Sequence, residues 1–338
     1  MKLFHNIFTR LTLAMAGCVA LAGCDGLIYD EEGDCDYRIR FVFDKHLHHS
    51  DAFAYEVNAV TLYLVDDATG RIVWQKSESG PELKSGHYRM TIPDDMIPAG
   101  NYSMIAWCGD GVGSHFSVAD ADHYAGLNCR LERQYDQSGR AFSDCNLNRL
   151  YHGRLDAVRL APDVTVRDFT VPLTKDTNDV TILLQNLDGV PIEDGDFTFQ
   201  IIDANGHMDW DNSIMPDEEI VYRPHHVSYG MAQPLDAPAA RASVSMPVCF
   251  AEFSVGRMMA DRDMRLVVLD AAGDTTANFP LINYALMVKG TNNLKYDDQD
   301  FLDRQDKFDL TLFMKNDRWQ QVQLNILSWQ LVIDHIDL

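Results

Sequence analysis

Val60-Thr61-Leu62-Tyr63-Leu64-Val65 is followed by Asp67-Ala68-Thr69-Gly70 and then by Ile72-Val73-Trp74. In the first run, Val60, Leu62 and Leu64 fall on every second position, which is the period of a β-strand with one face against a core. The Asp-to-Gly segment is typical of a turn, and the second apolar run supplies a partner strand. The stretch therefore predicts a β-hairpin.

The same strand-like pattern recurs at short intervals over most of the chain, with turn residues such as Asn205-Gly206 between the runs. Such spacing indicates antiparallel β-sandwiches. The one short helix predicted is Asp298–Arg304. The further strand candidates are residues 37–43, 87–92, 102–107, 155–160, 164–173, 180–184, 197–202, 219–222, 242–246, 265–269, 279–286, 308–314, 321–326 and 329–333.

The N-terminus has the composition of a secretory signal peptide. Lys2 and Arg10 give it a positive start, residues 11–21 are almost wholly apolar, and small residues lead into Cys24. The apolar run is about half of the ~20 residues that a membrane-spanning helix needs. We therefore expect residues 1–23 to direct export and to be removed.

Leu21-Ala22-Gly23-Cys24 resembles the lipobox of bacterial lipoproteins. The resemblance implies cleavage between Gly23 and Cys24, a diacylglycerol on the Cys24 sulfur and an acyl chain on its amine. Two or three acyl chains attach a protein stably to a membrane, whereas one does so only marginally. A plain signal peptide is the alternative, and Cys18 is a poorer lipidation candidate because Met15 replaces the preferred leucine.

The chain is strongly acidic, with a formal net charge of -23. Removing the signal takes away Lys2 and Arg10 and no acid, which brings the net charge to -25. Such a charge repels nucleic acid and anionic lipid headgroups. We therefore expect no nucleic-acid partner, and a membrane attachment that is covalent.

The mature chain is long enough for two domains. Residues 24–36 read as an acidic tether, residues 37–173 as an N-terminal β-sandwich domain and residues 174–338 as a C-terminal one. Residues 174–178, which are polar, form the predicted joint. Residues 109–153 interrupt the strand pattern and are predicted to be a long polar loop.

The cysteines of the mature chain allow disulfides in an oxidising compartment. Cys129 and Cys145 flank one polar segment and are the favoured pair, although spacing does not fix the connectivity. The odd count leaves at least one thiol over or paired elsewhere. Besides Cys24, the mature cysteines are Cys35, Cys108, Cys129, Cys145 and Cys249.

Sequence motifs for catalysis, cofactors and metals are weak or absent. The glycines of residues 109–113 lack the helix and βαβ unit of a dinucleotide loop. The histidine groups at 46–49 and 225–226 lack ligand spacing, and the acids at 209–212 and 297–300 lack the EF-hand frame. We therefore predict no enzyme activity, no cofactor and no metal.

Several motifs spread along the chain form one recognisable set. They are Cys35-Asp36-Tyr37-Arg38-Ile39-Arg40-Phe41, Asp51-Ala52-Phe53, Pro98-Ala99-Gly100-Asn101-Tyr102, Ala106-Trp107-Cys108-Gly109, Leu150-Tyr151-His152-Gly153, residues 296–306 with Leu302-Asp303-Arg304-Gln305, Phe308-Asp309-Leu310-Thr311, Trp319 and Trp329. Together they resemble the FimB-type fimbrial anchors, which are lipidated minor subunits of type V fimbriae. The resemblance covers nearly the whole mature chain, and Leu302-Asp303-Arg304-Gln305 is its most specific part.

This resemblance implies two transthyretin-like antiparallel β-sandwich domains in tandem and a non-catalytic protein of the outer membrane. Members fix the base of a fimbrium, limit its length and join a shaft or tip subunit by strand exchange, in which backbone hydrogen bonds extend an open sheet edge. The C-terminal strands are the candidates for that exchange, through Gln321, Gln323, Asn325, Trp329, Leu331 and Ile333.

Two other functions stay open from the sequence. A surface glycan-binding lipoprotein would also combine a lipid with β-sandwiches, and Trp74, Trp107 and Trp210 could stack on sugars, although their positions favour core packing. A glycoside hydrolase would need two carboxylates that converge in space, and no motif locates such a pair.

Overall fold

The computed structural model describes residues 36–111, 113–161, 167–232, 246–290, 293, 295–315, 318–326 and 329–333. The predicted all-β class is confirmed. In chain order the strands begin with β1 (Tyr37–Val42), β2 (Ala59–Asp66), β3 (Ile72–Ser79), β4 (Met90–Ile92), β5 (Gly100–Gly109), β6 (Phe116–Val118), β7 (Asn128–Leu131), β8 (Gln134–Tyr135), β9 (Ala141–Ser143), β10 (Leu150–Leu160) and β11 (Asp168–Lys175). They continue with β12 (Thr177–Asn186), β13 (Phe197–Asp203), β14 (His207–Asp209), β15 (Ile220–Tyr222), β16 (His226–Ala232), β17 (Met246–Gly256), β18 (Arg265–Asp270), β19 (Thr275–Pro280), β20 (Lys307–Lys315), β21 (Arg318–Ile326) and β22 (Trp329–Ile333).

The first half of the chain forms a seven-stranded sheet in the order β3-β2-β5-β10-β11-β1-β4. The predicted hairpin is confirmed, since β2 and β3 are antiparallel and pair Leu64 with Trp74. Gly70 closes the turn at a φ of +71°, a conformation that residues with a Cβ rarely adopt. Val60, Leu62 and Leu64 lie in the core of this half, as the alternation predicts.

The second half forms two six-stranded sheets, ordered β16-β17-β12-β20-β21-β22 and β19-β18-β13-β15-β9-β8. Side chains from both sheets fill one hydrophobic core, with Ile182 and Leu310 from the first and Phe199 and Leu266 from the second. This half is therefore a sandwich, with alternate residues of each strand turned inward.

Strands β2 and β5 are buried on both faces. Leu62 and Met104 face the core of the first half, whereas Tyr63, Ile105 and Trp107 belong to the core of the second half. A strand that is buried on both faces loses the alternation of polar and apolar residues. The two halves therefore meet across these strands.

The expectation of a loop at residues 109–153 is wrong, because the segment contains strands β6 to β9 and leads into β10. β7 pairs with β14, and β9 pairs in parallel with β15, so the segment adds strands to sheets of the second half. We call residues 110–149 the insert. Its strands are two to four residues long, and two of them, β7 and β9, also pair with strands far along the chain, which is why no local pattern reveals them.

Three other expectations need correction. The sheets are not wholly antiparallel, since β1–β11, β12–β20 and β9–β15 are parallel pairs. The strand predicted at residues 279–286 is instead the end of β19 followed by helix α2 (Leu281–Met287). Asn205-Gly206 does not close a hairpin, because the strands on either side of it belong to different sheets.

The predicted joint at residues 174–178 is the place where the chain passes from β11 into β12, with Asp176 between them. The seven-stranded sheet holds β11 and the first six-stranded sheet holds β12. The predicted short helix is confirmed as α3 (Asp298–Arg304), and its N-cap carboxylate, on Asp297, accepts a hydrogen bond from the Asp300 amide. A further helical turn, α1 (Phe53–Glu56), follows β1.

Candidate assembly site and the junction that supports it

The predicted exchange residues lie at one edge of the sheet that begins with β16. Gln321, Gln323 and Asn325 belong to β21, and the other three belong to β22. β22 is antiparallel to β21, with Leu331 opposite Leu324, and it is the outermost strand. The structure thus gathers all six predicted residues into one C-terminal β-hairpin at a sheet edge.

The opposite edge of that sheet is β16, which contains no Asp, Glu, Lys, Arg or Pro. Tyr229 and Val227 lie opposite Cys249 and Ala251 of β17, which face the core, yet both are 37% exposed. Met231 follows on the same face and is 58% exposed. Natural edge strands are commonly protected by charges, prolines or bulges. This edge has a partly exposed apolar face, on which the Tyr229 hydroxyl donates to Asp194 at 3.2 Å.

A buried ion-pair cluster lies where the two halves meet. Arg257, just after β17, donates through Nε to Asp303 Oδ1 at 2.9 Å and through a terminal nitrogen to Asp303 Oδ2 at 2.7 Å. Lys45 Nζ, from the first half, donates to the same Asp303 Oδ2 at 2.7 Å. Since the Asp303 side chain is only 2% exposed, these charges stabilise one another away from water. We call this group the junction cluster, with Asp176 and Asn212 as its further members.

Further polar contacts fix the ends of the elements around the cluster. The Asn178 side-chain amide donates to the Gln305 carbonyl at 3.1 Å, and its oxygen accepts from the Met258 amide at 3.2 Å. Lys175 pairs with Asp306 at 3.1 Å across the same boundary. Helix α3 is thereby fastened to the beginning of β12 and to the segment after β17.

The two buried carboxylates of the junction cluster have opposite pKa shifts. Arg257 and Lys45 outweigh the effect of burial at Asp303 and hold its pKa below the usual value. At Asp176, which is fully buried, the loss of hydration raises the pKa to about 7, although Arg257 lies 3.7 Å away. The Asn212 amide donates to Asp176 Oδ1 at 2.8 Å, whereas Asp176 Oδ2 and Asn212 Oδ1 have no partner among the described residues.

A histidine is buried next to the cluster. The His152 ring packs edge-on against Trp107 with centroids 4.7 Å apart, and His152 Nε2 lies 2.9 Å from the Trp210 carbonyl oxygen. Burial lowers the pKa of His152 to about 4, so the ring is neutral at physiological pH. Its role in this position is packing and hydrogen bonding.

Sequence reasoning singled out part of the junction cluster but not its partners. The Leu302-Asp303-Arg304-Gln305 motif contains the buried acid, while Lys45 carried no recognisable signal. The one available hint to Arg257 was its position directly after the mainly apolar segment 247–256, where an unpaired charge would be costly. The polar joint 174–178 likewise contains Asp176 without showing that it is buried.

The disulfide predicted between Cys129 and Cys145 is not formed, and both residues are free thiols. Cys129 is buried in β7 of the small sheet β14-β7-β6, whereas Cys145 follows β9 of a different sheet. The cysteines are near in sequence because the insert turns between two sheets. Gly23 and Cys24, the predicted cleavage and lipidation residues, lie outside the described residues.

In the part of the chain that the structure describes, no group of three or more His, Cys, Asp or Glu side chains is placed to hold a metal ion. Over the same residues, no helix is both long enough and apolar enough to span a bilayer.

Similar solved structures share this fold. A candidate adhesin from Bacteroides thetaiotaomicron is 28% identical, with a TM-score of 0.74 over 88% of this chain and 97% of that one. A candidate polysaccharide-binding protein from the same organism is 24% identical, with a TM-score of 0.71 over 89% and 98%. The fimbrial anchor protein Mfa2 from Porphyromonas gingivalis is 16% identical, with a TM-score of 0.63 over 87% and 98%.

Comparison at the level of sequence identifies the family. No curated protein matches the chain significantly. The model of the fimbrillin-A associated anchor proteins Mfa1 and Mfa2 matches residues 31–335 of the 338 residues. The chain therefore belongs to the family of fimbrillin-A associated anchor proteins Mfa1 and Mfa2.

Proposed function

We propose that this protein is a non-catalytic, lipid-anchored subunit that fixes the base of a type V fimbrium to the outer membrane and limits its length. Membership of the anchor family supports a fimbrial accessory role and an association with the cell surface. In this proposal the acylated Cys24 holds the membrane, and the C-terminal hairpin β21–β22 joins a shaft or tip subunit by strand exchange.

The observation that carries the assembly part of the proposal is the position of β22. This strand is five residues long, lies at a sheet edge and pairs with β21 on one side only. Exchange of an edge strand conserves the backbone hydrogen bonds, because the strand of a partner can make the same bonds along the exposed edge. A short terminal strand requires the fewest bonds to be exchanged.

The lipid part of the proposal is tested with Cys24→Ala in cells that assemble the fimbrium. We expect the variant to leave the outer-membrane fraction and the cells to shed their fimbriae, because no acyl chain remains. Cys18→Ala is the matched control and should behave like the wild type. A Cys24→Ala protein that stays with the membrane and still retains fimbriae would disprove the anchoring.

The strand-exchange part is tested by deleting residues 330–338 and measuring copurification with the fimbrial shaft protein. Loss of copurification is expected, while Met231→Lys at the opposite edge of the sheet should leave it unchanged. If the deletion has no effect on copurification, this segment does not join the partner. If Met231→Lys alone abolishes copurification, the contact lies at β16 instead.

A further inference from the structure

A groove of about 500 Å³ lies where the β2–β3 turn, the insert and the second half of the chain meet. Asp66, Asp67 and Thr69 of the turn form one side, and Tyr124 of the insert and Trp210 form another. The buried side chains of Val65 and Ile105 belong to its lining. Its volume is within the range of small-ligand sites, roughly 300 to 1,000 Å³.

Aromatic side chains line one side of the groove in a fixed arrangement. The Trp210 and Tyr124 rings meet edge to face at 4.6 Å, and the Arg154 guanidinium lies over the Trp210 ring at 4.5 Å from its centroid. The His123 ring extends this side, 4.7 Å from Tyr124. Because these rings pack against one another, the apolar surface is already formed in the unbound protein.

The backbone of the turn fastens this aromatic side in place. The Tyr124 amide donates to the Gly70 carbonyl at 3.0 Å, and the Ile72 amide donates to the Asp122 carbonyl at 2.9 Å. A Cβ at Gly70 would lie 2.3 Å from the His123 ring, so only glycine allows this approach. These bonds also occupy the backbone groups that a peptide strand would otherwise use.

The opposite side of the groove carries hydrogen-bonding groups. Asp67 Oδ1 accepts from the Ser103 hydroxyl at 2.7 Å, and the Asp66 carboxylate accepts from Thr69 Oγ1 at 2.9 Å. A carboxylate has about four acceptor sites, so both acids can accept further bonds. Arg154 adds a cationic donor to the same groove.

We propose that this groove binds an oligosaccharide, with C–H groups of a sugar ring against the aromatic side formed by Tyr124 and Trp210, and its hydroxyl groups on Asp67, Ser103 and Arg154. A sugar presents an apolar face and a rim of hydroxyls, which matches an aromatic side facing a polar one. A peptide that binds by adding a strand would need a free strand edge, and the paired backbone of the turn offers no such edge here. The proposal does not depend on the anchoring proposed above.

Affinity gel electrophoresis of the full-length protein in detergent tests this site, with mannan, dextran, xylan and polygalacturonate as probes. We expect at least one polysaccharide to retard the wild type, and Trp210→Ala to weaken that retardation roughly tenfold or more. Trp74→Ala is the matched control, since Trp74 lies in the same hairpin but pairs with Leu64, on the opposite face from Val65. The control should bind like the wild type.

Asp67→Ala is the second variant, because Asp67 is exposed and its loss should not impair folding even if Trp210→Ala does. Weaker retardation of Asp67→Ala supports the site. Failure of all four polysaccharides to retard the wild type would overturn the proposal, as would retardation that both variants retain. Loss of shaft-protein copurification in Trp210→Ala, without any glycan binding, would assign the groove to a protein partner and also overturn it.

Discussion

The junction cluster and the β16 edge differ in which side chains they bury and which they expose. At the junction, Arg257 and Lys45 both pair with Asp303, whose side chain is only 2% exposed. At β16, Val227 and Met231 are apolar side chains on the core-facing side of the strand, yet they are 37% and 58% exposed. The first region buries charged groups, and the second exposes apolar ones.

We infer from this difference that the junction cluster serves the folding of the chain and the β16 edge serves its association. Buried ion pairs add little net stability compared with apolar packing, but removing one partner is very costly, so they hold the halves in one arrangement. A partly exposed apolar edge adds little to the stability of the monomer and can change without harm to its fold. We therefore expect substitutions at the junction to affect folding, and substitutions at the edge to affect only association.

The largest expected effect is that of Arg257→Met. The change leaves Asp303 and Asp176 buried without their main cation, which should lower the free energy of unfolding by about 3 to 5 kcal/mol. Urea denaturation measures this. Arg265→Met is the control, because its partner Asp263 is exposed, and it should cost about 1 kcal/mol or less. Equal losses for the two variants would remove the distinction between the junction and the surface.

The second prediction concerns pH and Asp176. A pKa raised from 3.8 to about 7 means that the folded state holds a proton that the unfolded state releases, so stability falls as pH rises from about 4 to 7. From pH 5 to pH 8 this group should remove about 2 to 3 kcal/mol. Asp176→Asn should abolish that loss and be more stable than the wild type at pH 8, as thermal unfolding at both pH values would show.

Asp179→Asn, at an exposed acid on β12, is the control and should retain the loss of stability that Asp176 causes between pH 5 and pH 8. His152 affects the wild type and both variants equally, since its lowered pKa reduces stability only as pH falls below about 6.5. A wild type and an Asp176→Asn variant with parallel pH profiles would contradict the prediction.

The third prediction concerns the two ends of the insert, which lie next to each other at Gly109 and Arg149. A Cβ at Gly109 would lie 2.3 Å from the Arg149 carbonyl oxygen, which is backbone and has little room to move. Gly109→Ala should therefore cost about 1 to 3 kcal/mol through overpacking, measured by urea denaturation. Gly86→Ala, where no atom lies within 4 Å, should be neutral or slightly stabilising. If Gly109→Ala left the free energy of unfolding unchanged, the backbone at the two ends of the insert could shift without loss of stability.

The smallest effect belongs to the β16 edge. Met231→Lys should change the free energy of unfolding by less than about 0.5 kcal/mol, because the side chain is already 58% exposed. The same variant should self-associate less at high concentration, since charge protects a strand edge, and sedimentation velocity would detect this. A loss of stability above about 1 kcal/mol would mean that this face is covered in the monomer.

The parts of the fold that sequence predicted are those with local causes. The β2–β3 hairpin follows from alternation and an Asp-to-Gly turn, and α3 follows from a polar segment with an N-capping aspartate. Residues 281–286 were misassigned as strand because a short apolar run fits a buried strand as well as a helix. The helical spacing of the buried Leu281, Ile282, Tyr284 and Ala285 becomes visible only in the structure.

The parts that could not be predicted depend on residues distant in sequence. Arg257 and Asp303 are 46 positions apart, and Lys45 is 258 positions from Asp303, so no motif joins them. The strands of the insert are too short to show a period, and two of them, β7 and β9, join sheets through β14 and β15. For the candidate assembly site, sequence located the C-terminal strands, while the edge at β16 required the sheet order.

The parallel pairs have a consequence for how the molecule carries force. β1 lies along β11 in five register pairs, β11 runs on into β12, and β12 lies along β20 in eight. A pull applied to the start of β1 and the end of β20 loads both pairs in shear, so that the hydrogen bonds of each pair must yield together rather than one after another. Under tension, we expect the β1–β11 and β12–β20 pairs to stay together while strands outside these pairs unfold first.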